Sequence, residues 1–243
     1  MSQIILKGVG KSYGQETALR DVSVEFSDGV TTAVVGPSGS GKSTLLQLIN
    51  GLVRPGTGSV HVFEKPIDYD KLPELRRKIG YAVQGTGLFP HMNVERNITL
   101  LAHLVGWCTD RINARARELM SLVGLSWDYA GRYPHELSGG QQQRVGLCRA
   151  MMLNPPIFLL DEPFGALDPV TRQEIHQEFA RLQTAEPRTM VLVTHDLREA
   201  IKLAQRLMVL DHGRVAQHGP CEEIVNAPAN EFVRNFFRSQ LDA

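Results

Sequence analysis

Cysteine is scarce in this chain: three among 243 residues, Cys108, Cys148 and Cys221, far apart and with no metal-ligand pairing. They read as buried or incidental thiols in a reducing compartment. Net charge is missing as well, because 26 lysines and arginines balance 26 aspartates and glutamates. Bulk charge therefore gives no footing for nucleic acid and leaves only a local patch open. No apolar run approaches the roughly 20 residues that a membrane span requires. The opening "MSQIILKGVGKSYG" has neither the apolar core nor the cleavage site of a signal peptide. Internal repeats, low-complexity tracts and long linkers are absent too. These absences point to a soluble chain in the cytoplasm. Its composition, 42% hydrophobic and 21% charged, is that of an ordinary globular protein. The length allows one to two domains with a proper core.

What is present is a rhythm of strand, polar turn and helix. "DVSVEF", Asp21 to Phe26, alternates Val22, Val24 and Phe26 with polar residues, the pattern of a half-buried strand. "VTTAVV", Val30 to Val35, is a β-branched run without alternation, which suits a central strand covered on both faces. "IGYAVQ", "PIFLLDE" and "TMVLVTHD" are three further candidates for central strands. Between and after them, Ile175, Phe179 and Leu182 share one helical face, as do Leu197, Ala200, Ile201 and Ala204. Repetition of this kind predicts a mainly parallel α/β sheet. From about Met92 to Glu136 the rhythm breaks. That stretch holds no good strand, and Ile112, Ala116, Leu119, Met120 and Val123 fit a helix face. It reads as a helical subdomain inserted into the core, and "EFVRNFFRSQLDA" reads as a short closing helix.

The stretch "VVGPSGSGKSTLLQL" interrupts a buried strand and a helix with flexible polar backbone. Its loop, Gly36, Pro37, Ser38, Gly39, Ser40, Gly41, Lys42, Ser43 and Thr44, fits G-x-x-x-x-G-K-[ST] between the strand and helix that give the pattern meaning. Gly39 and Gly41 permit backbone conformations that turn successive N–H groups towards one anion. The helix N-terminus adds partial positive charge, and Lys42 supplies a full one for the β and γ phosphates. Ser43 is placed to ligate Mg²⁺, with Thr44 beside it. A nucleotide with Mg²⁺ is the expected ligand.

"IFLLDEP" is an apolar strand ending in two acids. Strand alternation sends Asp161 and Glu162 to opposite faces. Asp161 suits Mg²⁺, usually through water, and Glu162 could orient or deprotonate an attacking water. Alone, an acid at a strand end is more often a helix cap; beside a phosphate loop the catalytic reading prevails. In "HELSGGQQQRVGLCRAMML", Ser138, Gly139 and Gly140 open a second Gly-rich helix start, able to bind an anion or simply capped by its serine. Because the chain already has one phosphate loop, a second such terminus makes sense if it closes over nucleotide held by another copy.

"LSGGQ", Leu137 to Gln141, resembles the signature of the ATP-binding cassette ATPases, and the other motifs follow in that family's order. The resemblance runs from about Ile4 to Gly219. It implies one cassette: a P-loop NTPase α/β core over residues 1–91 and 137–219, with an N-terminal antiparallel β region. It further implies an inserted helical subdomain over 92–136 and a short helical tail over 220–243. Tyr13 resembles the aromatic that stacks on adenine. Gln84 resembles the glutamine that senses Mg²⁺ and the attacking water in a loop facing the membrane partner. Asp168, in "GALD", resembles the loop that communicates between two nucleotide sites, and His195 resembles the histidine that contacts the γ-phosphate. Taken singly, Tyr13 is also a core ring, Gln84 a solvated side chain and His195 a strand-end histidine. The family implies a head-to-tail homodimer with two ATP molecules between the phosphate loop of one copy and Ser138, Gly139, Gly140 and Gln141 of the other.

"QGTGLFPHMNVERNI" and "DEPFGALDPVTRQEIHQEF" are similar to bacterial importers, and within those to ATPases of osmoprotectant uptake for glycine betaine, choline, carnitine or related amines. Separate transmembrane permease subunits would form the pore, with a solute-binding protein acting indirectly. The ATPase would then sit peripherally on the cytoplasmic face of the inner membrane. Several such ATPases carry a C-terminal regulatory extension, and only a short tail follows Gly219 here. An importer of amino acids or another small solute, or an exporter with separate membrane subunits, is the alternative. A nucleic-acid-associated cassette would need a long coiled-coil insertion that the stretch before Leu137 does not have.

Overall fold

The computed structural model describes residues 2–85 and 87–241. Residues 1, 242 and 243, and Thr86 within the quoted stretch Gln84 to Ile98, lie outside the described residues. The chain starts with β1 (Ser2–Tyr13), β2 (Glu16–Ser27), β3 (Thr31–Val35), α1 (Lys42–Ile49), β4 (Thr57–Val62), β5 (Lys65–Pro66) and α2 (Leu72–Arg76). It continues with β6 (Ile79–Ala82), α3 (Val94–Leu104), α4 (Thr109–Leu122), α5 (Gly139–Met151), β7 (Ile157–Asp161) and α6 (Pro169–Ala185). β8 (Thr189–Val193), α7 (Leu197–Leu203), β9 (Arg206–Asp211), β10 (Arg214–Pro220), α8 (Cys221–Asn226) and α9 (Glu231–Leu241) complete it. Two compact units result: Met1–Arg76 with Pro187–Ala243, and Arg77–Glu186.

In the first unit an antiparallel sheet runs in the order β2-β1-β4-β5. Val22, Val24 and Phe26 of β2 are buried, as their alternation predicts. β1 and β4 are strands that the sequence pattern conceals. The pairing of β1 shifts register between Leu6 and Val9, where Gly8 takes φ +57°, so its apolar residues fall out of period two. β3 lies between β8 and β9, parallel to both, and β10 runs antiparallel to β9. Every residue of β3 and β8 is buried, which is why each reads as an unbroken run. Leu197, Ala200, Ile224, Val233 and Phe237 of the last three helices join Ala33, Val35 and Val209 in one apolar cluster. Ala204, expected on the α7 face, instead ends that helix in extended backbone.

In the second unit β6 and β7 pair in parallel, Ile79 opposite Ile157 through Ala82 opposite Leu160. Residues 92–136 hold α3, α4 and two 3₁₀ turns, and among them no strand. Ile112, Ala116, Leu119 and Met120 form the buried face of α4. Asn93 caps α3 by accepting from the Arg96 N–H at 2.9 Å. Asn97, fully buried, accepts from Phe89 N–H at 2.8 Å and donates to Met92 O at 2.9 Å, which staples the preceding loop to α3. All three cysteines are free; Cys148 and Cys221 are buried and Cys108 is exposed. No helix among the described residues is long and apolar enough to cross a membrane.

Candidate functional site

The phosphate loop leaves β3 at Val35 and enters α1 at Lys42. Its ends demand glycine for steric reasons. A Cβ on Gly36 would lie 2.1 Å from Leu210 O, and one on Gly41 would lie 2.3 Å from Ala18 O. Both residues also take positive φ, +149° and +101°. Between them Pro37, Ser38 and Gly39 are exposed. Lys42 is buried, and its ammonium donates to Gly36 O and Pro37 O at 2.8 Å each. Ser43 and Thr44 are half-buried on the first helical turn. No side chain caps α1; its N-cap is Gly41. Ser40 is only 3% exposed, and its hydroxyl has no hydrogen-bond partner. A buried cation, an orphaned hydroxyl and an uncapped helix start form a cradle that fits an anionic phosphate.

Two other expected residues lie in this unit. Tyr13 ends β1 and is 46% exposed, which rules out a core ring. The Lys11 ammonium stands 5.2 Å from its ring centre. His195 follows β8 and is exposed, on a backbone held firmly from both sides. Buried Thr194 donates its hydroxyl to the Glu199 carboxylate and accepts from Asp196 N–H at 3.0 Å. Asp196 then caps α7, accepting from Arg198 N–H at 2.9 Å and Glu199 N–H at 3.1 Å.

The second unit brings Gln84 and Glu162 together. The Gln84 amide donates to Glu162 Oε2 at 3.3 Å, across 78 residues of sequence. Asp161, the last residue of β7, is 4% exposed. Burial, and then the negative charge of Asp161, push the Tyr81 phenol up to about 12. The strand alternation expected to separate the two acids stops at Asp161. Glu162 has already left the strand at φ +48°, a left-handed conformation that costs a non-glycine residue about 1 kcal/mol. Its carbonyl accepts from Gln143 Nε2 at 2.8 Å and from Gly165 N–H at 3.3 Å.

The signature stretch opens α5 with a reciprocal cap. Gln141 N–H donates to Ser138 Oγ at 3.2 Å, and Ser138 N–H donates to Gln141 Oε1 at 2.9 Å. Gly139 is exposed and Gly140 half-buried; a Cβ on Gly140 would lie 3.0 Å from Ala166 O. Asp168 caps α6, and hydrogen bonds from the Thr171 hydroxyl and then its N–H hold the carboxyl below the ordinary carboxylate range. Sequence reasoning missed Gln143 and Arg149. Arg149 donates to Gly87 O at 2.8 Å, tying α5 to the loop after Gln84. For Gln143 a signal existed: with Leu147 and Ala150 it occupies positions i, i+4 and i+7, a polar residue on a buried stripe.

Residues 19–165 match the family model described as ABC transporter. This chain belongs to the ABC transporter family. It is 47% identical over 232 residues to the glycine betaine/carnitine/choline transport ATP-binding protein OpuCA of Bacillus subtilis (strain 168), covering 95% of this chain and 61% of that one. To the glycine betaine uptake system ATP-binding protein YehX of Escherichia coli (strain K12) it is 48% identical, covering 96% and 76%. The ABC chain thus spans less than two thirds of the length of the first relative. It is also similar to a solved dimeric post-hydrolysis state of the ATP-binding cassette MJ0796 bound to ADP and Pi. The TM-score there is 0.85, with 35% identity over 90% of this chain and 98% of that one. The α/β P-loop NTPase fold expected from the motifs is the fold observed.

Proposed function

We propose that this chain binds ATP with Mg²⁺ and hydrolyses it as the energy-supplying subunit of an importer for a quaternary-amine osmoprotectant. The observation that carries hydrolysis is the contact between the Gln84 amide and the Glu162 carboxylate, two groups each expected beside the attacking water. Lys42 and the backbone of Gly36 to Thr44 neutralise and orient the phosphates, while Tyr13 stacks on adenine. Ser43, Asp161 and Gln84 would hold Mg²⁺, which supplies charge neutralisation at the β and γ oxygens. Glu162 orients or deprotonates water, and His195 contacts the γ-phosphate. Little covalent work falls to the protein; positioning and charge complementarity carry the rate.

Ser138, Gly139, Gly140 and Gln141 of a second copy close over the nucleotide, and Asp168 relays between the two sites. Closure on ATP and opening after hydrolysis drive separate permease subunits, which hold the chain at the cytoplasmic face of the membrane. The names of the relatives, transport proteins for glycine betaine, carnitine and choline, support the solute class. The test is ATP hydrolysis by the chain assembled with its permease subunits in liposomes, with and without a binding protein loaded with glycine betaine or choline. Stimulation by the loaded protein alone is expected. Turnover that ignores every loaded binding protein would overturn the importer reading in favour of an exporter or another solute.

A further inference from the structure

We infer that Gln143 is a positioning residue for hydrolysis, acting through the backbone of Glu162; the inference rests on the role proposed above for Glu162. Gln143 is 7% exposed and spends both ends of its amide on backbone. Its Nε2 donates to Glu162 O at 2.8 Å, and its Oε1 accepts from Ala166 N–H at 2.9 Å. The orientation of the amide follows from those partners. Turned over, it would set N–H against N–H and oxygen against oxygen.

What the two bonds grip is informative. Glu162 stands at φ +48°, where a side chain stays only if its surroundings hold the backbone there. The direction of its Cα–Cβ bond, and so the reach of its carboxylate to Gln84, depends on that backbone angle. Gln143 therefore clamps the residues on either side of the turn that aims the carboxylate. It does so from the third residue beyond Gly140, on the helix that Ser138 caps. A displacement of the signature end of α5 would be passed to the backbone of Glu162 by this amide.

The experiment is steady-state ATP hydrolysis by the full chain with Mg²⁺ across a range of ATP concentrations. The set comprises wild type, Gln143→Met, Gln143→Asn, Glu162→Gln and the double variant Gln143→Met with Glu162→Gln. Methionine keeps the length without the hydrogen bonds. Asparagine keeps the amide but is one methylene too short for both bonds, and it serves if the methionine variant fails to fold. Expected is a kcat lower by roughly ten- to hundredfold in either Gln143 variant, with KM for ATP within about twofold. Because Gln143 acts through Glu162, the double variant should turn over no more slowly than Glu162→Gln alone. Wild-type kcat in both Gln143 variants would overturn the inference while leaving Glu162 in its role. A loss that multiplies with that of Glu162→Gln, or a rise in KM at unchanged kcat, would reduce Gln143 to a structural staple. Wild-type turnover by Glu162→Gln would overturn the role of Glu162 itself.

Discussion

The chain has two glycine-rich helix starts, and they solve the same electrostatic problem in opposite ways. At the start of α5, Ser138 and Gln141 satisfy each other's backbone N–H groups with their own side chains. At the start of α1 the N-cap is Gly41, and no side chain caps the helix. A capped terminus is complete in itself, so an anion arriving there meets groups already engaged. An uncapped one keeps its partial positive charge for a ligand, here reinforced by a buried lysine and an unpartnered serine. The difference separates a helix start whose backbone N–H groups are open to a ligand from one whose groups are already engaged. Ser138 Oγ accepts in its cap, which leaves its own proton available to donate.

The largest way to break this contrast is Gly41→Ala. The new Cβ would meet Ala18 O at 2.3 Å in a backbone conformation that alanine resists. Thermal or denaturant unfolding should lose about 4 kcal/mol, from steric overlap with rigid backbone. A loss below about 1 kcal/mol would mean that the loop can rearrange freely. Next comes Lys42→Ala, which removes the loop's full charge. ATP affinity, measured by equilibrium dialysis, should fall about a hundredfold, equivalent to ~2.8 kcal/mol. Undiminished affinity would make the two helix starts equivalent after all. Smaller again is Ser138→Ala, which deletes a cap and should cost about 1 kcal/mol of stability. Ser38→Ala, in the loop that has no side-chain cap, should change stability by less than about 0.5 kcal/mol. Equal losses for the two serines would erase the distinction.

Sequence and fold agree best where one local rule dominates. The phosphate loop was legible because Gly36, Gly41 and Lys42 answer to sterics and charge within nine residues. β3, β7 and β8 were legible because complete burial leaves an unbroken apolar run. β1 and β4 were not, since a register shift and Gly58 at φ +74° break their alternation. β9 and β10 were missed although Leu207 to Leu210 are all buried. Asp161 and Glu162 were expected to alternate along one strand, but β7 ends at Asp161 and the alternation does not extend to Glu162. Local pattern does not foresee a left-handed glutamate that the fold stabilises. The contacts of Gln84 with Glu162 and of Gln143 with Ala166 belong to tertiary structure, where separations of 78 and 23 residues carry no periodic trace.

The parallel ladder between β6 and β7 has a consequence for how this chain tolerates change. Each of its four residue pairs joins residues 78 apart, and Gln84 and Glu162, each two positions beyond the last pair, keep the same interval. The ladder works as an index mark: it aligns the glutamine with the acid whatever the chain does in between. Residues gained or lost in the helical stretch would leave that alignment intact, so its outer surface is free to be reshaped. A slip of a single residue in the ladder would instead shift Gln84 by about 3.3 Å and turn its side chain to the opposite face.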